Sequence, residues 1–180
     1  MMKFLPVIDY QTFGDEWSEF AMKAAEVTDI IWFRIKGFDA ALIYREACRM
    51  RRLLPDHRLV LSERADIAEA ASFDGVHLGV ATIPVDAVRK AFPELLTGYS
   101  AHSVEEAVRV DADYCTLSPI FHTDKPYPVN PLGPVDVADC GKDIYALGGV
   151  NADNLHLLEG KGYAGFAGIG LLYDINNLPL

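Results

Sequence analysis

Two glycine clusters late in the sequence, Gly148-Gly149 and Gly168-Ile169-Gly170, are the residues best suited to receive an anion. Glycine leaves its backbone N–H bare and lets an oxyanion come close, and a helix start just beyond adds a favourable dipole. The plainer alternative is that these glycines only make tight turns. Arg34 and Lys36 stand two residues apart, so both side chains leave the same face of an extended segment. Two unpaired cations on a buried face would be very costly. Either a second anionic group, such as a pyrophosphate, meets them, or they bridge to Asp9 or Glu63.

Other groups could hydrogen-bond a ligand or move a proton: Ser62, Glu63, Ser100, His102, Ser118, His122, Thr123 and Lys125. His102 and His122 are stronger candidates for proton transfer than His77. The latter lies among apolar neighbours in Gly-Val-His-Leu-Gly and reads as a hydrogen-bonded structural residue. Cys115 reads as core, and the Trp32-Phe33 pair as core plus one ring at a site mouth.

The elements that must position these groups follow from periodicity. Residues 4–9, 30–35, 58–61, 75–78, 95–100, 114–117, 144–147 and 163–169 are short apolar runs and read as strands. Residues 16–27, 39–54, 64–71, 84–91 and 151–158 read as helices, as does a segment opened by Ser103 with Glu106 as capping-box partner. Residues 10–14 read as a polar loop and 118–134 as a long Pro-rich one. Such alternation implies parallel strands and right-handed crossovers. The expected fold is α/β: a compact, single-domain (β/α)8 TIM barrel over residues 1–180.

An open doubly wound sheet is the other architecture, and the absence of a GxGxxG after the first strand weakens its dinucleotide-binding version. In a barrel the polar groups fall at the C-terminal strand ends, with phosphate held after strands seven and eight, where both glycine clusters lie. Little helix fits between Pro134 and Cys140, and residues 171–180 are too interrupted for a full final helix. The last helices are therefore expected to be shortened, leaving apolar strand surface for a partner subunit in a homodimer.

Composition narrows the partners. The chain has 26 acidic against 16 basic residues, a net charge of −10, which repels nucleic acid and acidic membranes. No apolar run approaches the ~18 residues that cross a bilayer. The first ten residues carry a single lysine and do not read as a signal peptide. Three widely spaced cysteines, with no CxxC, suit a reducing cytoplasm.

Residues 33–36, 75–79, 100–107, 112–123, 146–154 and 165–170 resemble, in order, the thiamine-phosphate synthase family, including its TenI-like branch. The most specific segments are Asp113-Tyr114, Ser118-Pro119-Ile120-Phe121 with Thr123, and Ala146-Leu147-Gly148-Gly149-Val150. The resemblance implies an enzyme of thiamine biosynthesis that joins hydroxyethylthiazole phosphate to a pyrimidine-methyl pyrophosphate, releasing pyrophosphate with Mg²⁺. It gives Arg34, Lys36, Ser62 and Ser100 to substrate, the first two and Ser100 to the pyrophosphate. Thr123 and Lys125 would meet the departing group, and Gly148, Gly149, Gly168 and Gly170 the thiazole phosphate.

The departures from the family pattern concern metal and proton transfer. The family's Asn-Asp pair after strand three is Ser62-Glu63 here, its second metal-binding Asp is Thr82, and Trp32 replaces a glutamine-like residue. Its Thr-x-Thr-Lys is shortened to Thr123-Asp124-Lys125. Glu63, with Asp124, would be left as Mg²⁺ ligand. The catalytic His of TenI-like thiazole tautomerases falls at Pro119. A tautomerase would then rely on His102, His122 or Glu63. The third reading is a non-catalytic regulator that binds thiamine phosphate or a precursor.

Overall fold

A computed structural model describes residues 2–123 and 129–178. Eight parallel strands close into a barrel in sequence order: β1 (Lys3–Asp9), β2 (Ile30–Arg34), β3 (Arg58–Ser62), β4 (Gly75–Leu78), β5 (Leu96–Ala101), β6 (Tyr114–Leu117), β7 (Asp143–Ala146) and β8 (Gly165–Gly168). β8 closes on β1 from Lys3↔Gly165 to Pro6↔Gly168. The helices are α1 (Tyr10–Phe13), α2 (Trp17–Ala25), α3 (Ala40–Leu53), α4 (Ala65–Ala70), α5 (Val85–Ala91) and α6 (Val104–Arg109).

Local chemistry sets these boundaries. Asp39 caps α3, its carboxylate accepting from Leu42 N at 2.9 Å, while Ile43, Ala47 and Met50 turn one face into the core. Ser103 caps α6 by accepting from Glu106 N. Glu106 does not complete the capping box on Ser103. Its carboxylate instead takes His102 N and the Tyr99 hydroxyl, both at 2.8 Å.

The expected loop over 10–14 is a helical turn. Asp9 accepts from Thr12 N at 3.0 Å and from the Thr12 hydroxyl at 2.5 Å, and so caps α1. The later crossovers are indeed shortened. No α-helix follows β6 among the described residues, only a 3₁₀ turn at Ala138–Cys140. The helix expected over 151–158 is a 3₁₀ turn at Leu155–Leu158. Asn151 Oδ1 accepts from Asp153 N and Asn154 N as an N-cap does, and Asn154 Oδ1 accepts from Asn151 N, but the extended Glu159 and the left-handed Gly160, φ 70°, stop the segment after one short turn.

The chain ends its barrel with 3₁₀ turns at Gly170–Asn177, broken at Asp174. Leu171, Leu172, Ile175 and Leu178 are buried there, and Tyr173 packs its ring on Phe13 and Phe20. This corrects the expectation of uncovered strand surface: the chain's own residues pack there, so that ground for a homodimer is gone.

Alternation along the strands divides the core. Trp17, Phe33, Met50 and Leu61 belong to the layer between strands and helices. Leu5, Val7, Trp32, Tyr114, Tyr145 and Ala167 form a separate cluster inside the barrel. Above that inner cluster the strand ends present polar side chains to the mouth.

Candidate active site

The β1–β3 side of the mouth holds two ion pairs. Arg34, two residues beyond inward-facing Trp32, places Nη1 2.5 Å from Oδ1 of buried Asp9, which keeps its second oxygen on Thr12. Lys36 Nζ lies 2.5 Å from Oε1 of Glu63, a residue in the left-handed region at φ 64°. The cations are thus bridged, one to each of the carboxylates weighed above. The Arg34 side chain is 32% exposed and that of Lys36 37%, so a ligand entering the mouth can reach both. Ser62 faces the barrel interior, where its hydroxyl accepts from Trp32 Nε1 at 2.9 Å.

His77 occupies the floor, buried, with its ring stacked on Trp32 at 3.8 Å between centroids. Nδ1 lies 3.0 Å from the Tyr114 hydroxyl and Nε2 2.9 Å from the Ser100 hydroxyl. Burial, aided by repulsion from Lys36, lowers its pKa to about 3. His77 is therefore neutral near pH 7, as a structural histidine should be. The unfolded chain titrates this group near 6.5 and so binds the extra proton between about pH 6.5 and 3. Stability should therefore be lost as the pH is lowered through that window, by about 1.4 kcal/mol per unit. Urea unfolding between pH 7 and 4.5 measures it, and an equally steep loss in His77→Gln would assign the effect to other groups.

His102 lies at the rim, where Nδ1 is 3.0 Å from the Ser118 carbonyl, and among the described residues its Nε2 has no partner. His122 is exposed and Thr123 half-buried on the loop after β6. Lys125 and Asp124 lie outside the described residues.

Gly148 and Gly149 turn after β7 with φ of 90° and 68°, conformations that favour glycine. The turn is pressed against the loop after β6: Ile120 N and Phe121 N donate to the Leu147 and Gly148 carbonyls at 2.9 Å. A Cβ on Gly148 would sit 2.8 Å from Pro119 Cα. One on Gly149 would sit 2.8 Å from the Phe121 carbonyl carbon and run into the His122 oxygen. Asn154 Nδ2 ties back the Gly149 carbonyl at 2.8 Å.

Among the described residues, the amides of Gly148, Gly149 and Val150 donate to no protein acceptor. The glycines therefore make a tight turn and also leave a run of open N–H groups, the arrangement that binds an oxyanion. On neighbouring β8, Gly168 faces the Leu171 side chain, whereas Gly170 opens a 3₁₀ turn with nothing within 4 Å of an added Cβ. The sequence reading missed Tyr114, the inner partner of His77. A second signal beside the Asp113-Tyr114 segment was Gly98, where a Cβ would collide with the end of the Tyr114 ring and sit 2.5 Å from His77 Nδ1.

Mg²⁺ asks for near-octahedral oxygen ligands, normally with carboxylates among them. Glu63 is shared with Lys36, Ser62 with Trp32, and the Thr82 hydroxyl donates to the Gly79 carbonyl at 2.8 Å. Among the described residues no three His, Cys, Asp or Glu side chains converge. The described residues do not fit a bound divalent cation.

Comparison with known proteins gives a consistent result. A candidate second thiamine-phosphate synthase of Aquifex aeolicus is 30% identical over 178 residues, 93% of this chain and 96% of that protein. The thiamine-phosphate synthase of Chlorobium limicola is 35% identical over 159 residues, 82% of this chain and 76% of its own length. The solved thiamine phosphate pyrophosphorylase of Pyrococcus furiosus superposes with a TM-score of 0.82 at 27% identity, covering 94% of this chain and 86% of that one. The family model described as thiamine monophosphate synthase matches residues 4–172. By that match, which takes in every strand of the barrel but the first residue of β1, the chain belongs to the thiamine monophosphate synthase family.

Proposed function

We propose that this chain is a transferase of thiamine biosynthesis that joins hydroxyethylthiazole phosphate to a pyrimidine-methyl pyrophosphate. The observation that carries the reading is a mouth able to take anions on two sides. Open amides follow β7, and Arg34 with Lys36 follow β2. The thiazole phosphate would rest on the amides around Gly148, Gly149 and Gly170, beside Gly168. The diphosphate would displace Asp9 and Glu63 from Arg34 and Lys36, with Ser100, Thr123 and Lys125 on its remaining oxygens.

As the bond from the pyrimidine methylene to the diphosphate breaks, pyrophosphate leaves with the electron pair. A nucleophilic atom of the thiazole ring then closes on the methylene carbon. Charge growing on the leaving oxygens is met by cations already in place, the preorganised stabilisation that such a departure needs. No step is assigned to Mg²⁺, because the donors among the described residues do not fit it. We place the protein in the cytoplasm, acting on small phosphorylated molecules and not on nucleic acid or membranes, in keeping with its net charge of −10.

Incubating purified protein at high concentration with both substrates, with and without Mg²⁺, is expected to yield thiamine phosphate. No product under either condition defeats the synthase reading. The poorly matched metal positions favour one second reading, a TenI-like isomerase of thiazole phosphate using His102, His122 or Glu63. It predicts isomerisation of the thiazole phosphate alone, without pyrimidine substrate or metal. Binding of that phosphate with neither reaction would leave the regulator.

A further inference from the structure

Four polar side chains meet beneath the mouth, and the path between them has a direction. Tyr114, His77 and Thr116 are buried, while Ser100 is half-buried at the rim. Trp32 seals one face of the imidazole, and the absence of a side chain at Gly98 lets the Tyr114 hydroxyl reach Nδ1. Neutral His77 carries a single N–H, so one ring nitrogen donates and the other accepts.

Suppose the proton were on Nδ1. It would donate to Tyr114, whose own hydroxyl proton would then have no acceptor, since among the described residues His77 is its one hydrogen-bond partner. With the proton on Nε2, Tyr114 donates to Nδ1, and Nε2–H donates to Ser100. Thr116 Oγ1, 3.5 Å from Nε2, is a weak contact in either case and does not discriminate. A buried donor without a partner is disfavoured by about tenfold or more, so the count of satisfied protons selects Nε2–H.

We propose that Tyr114 and His77 are positioning residues that aim the Ser100 proton out of the barrel, making Ser100 a hydrogen-bond donor toward the mouth. With its oxygen accepting from His77 below, Ser100 has only its proton to offer above. The ligand atom it selects is an acceptor, such as an oxygen of a phosphate or diphosphate. The opposite tautomer would draw the Ser100 proton inward and present a lone pair to the anion, which is repulsive. The assignment of a diphosphate oxygen rests on the proposed function; the direction of the relay does not.

Long-range ¹H–¹⁵N spectra of histidine-labelled protein should show His77 as the Nε2–H tautomer between pH 6 and 8. An Nδ1–H tautomer overturns the relay whatever the protein binds. Calorimetry with inorganic pyrophosphate should show Ser100→Ala weakening affinity roughly tenfold and Tyr114→Phe by a smaller factor. Ser100→Ala/Tyr114→Phe should then be no weaker than Ser100→Ala, within about twofold, because Tyr114 acts only through Ser100. Multiplying losses would make Tyr114 merely structural and overturn the proposal. Wild-type protein that keeps Nε2–H yet binds no pyrophosphate would overturn the diphosphate reading and support the relay.

Discussion

Replacing Gly149 with valine is expected to destabilise the protein by about 3 kcal/mol, or about 10 °C in melting temperature, and to lower thiazole phosphate affinity more than roughly tenfold. The stability loss has two sources. A β-branched side chain at φ 68° is strained, and its Cβ would press on Phe121 and the His122 carbonyl. The affinity loss follows because the 120–123 loop must move, pulling on the Gly148 carbonyl that Phe121 N holds and turning the open amides away. Binding lost with stability is ambiguous by itself, and Gly170→Ala separates the two. A methyl there meets no protein atom within 4 Å. Stability should stay within about 0.5 kcal/mol, while a phosphate resting on that turn would lose roughly tenfold in affinity. Wild-type affinity in Gly170→Ala would remove β8 from the phosphate site, and full affinity in Gly149→Val would remove β7 as well. Differential scanning fluorimetry and calorimetry read both quantities.

The elements were legible where local pattern and tertiary demand agree. Every strand is an apolar run read within about two residues of its bounds, and α3 carries its cap, face and stop in its own sequence. Errors came where a cap and the segment behind it point to different lengths of helix. Asp9 captures Thr12 and makes a helical turn of residues that look like loop. Asn151 caps a helix start over 151–154, yet the extended Glu159 and the left-handed Gly160 stop the chain after a 3₁₀ turn.

The site was legible as a set of positions, because the barrel brings every strand end to one mouth. Its pairings were less so. That Arg34 meets Asp9 and Lys36 meets Glu63 follows from the order β1-β2-β3, which puts a carboxylate on each side of β2. That Tyr114 reaches His77, 37 residues away, depends on ring lengths crossing the barrel interior, and no sequence period encodes that.

Arg34→Met should destabilise the fold by about 3 kcal/mol, because it leaves the Asp9 carboxylate buried with only Thr12 as partner. Lys36→Met should lose no more than about 1 kcal/mol, since the Lys36–Glu63 pair is more than a third exposed and water takes over its charges. Asp9→Asn/Arg34→Met tests the cause. Asparagine keeps an oxygen for Thr12 and removes the stranded charge, so most of the lost stability should return. Pyrophosphate affinity should not return with it. Arg34→Met and the double variant each lack one charged hydrogen bond to the ligand, a loss of about 2 kcal/mol, or roughly thirtyfold. In the wild type, Asp9 competes with the ligand for Arg34, so Asp9→Asn alone should bind pyrophosphate more tightly at some cost in stability. Recovery of stability together with wild-type affinity in the double variant would show Arg34 to be a structural cation. Recovered stability with weak binding would make the Asp9–Arg34 pair the resting form of the ligand's own contact, a cation held in place by an internal carboxylate until a stronger anion arrives.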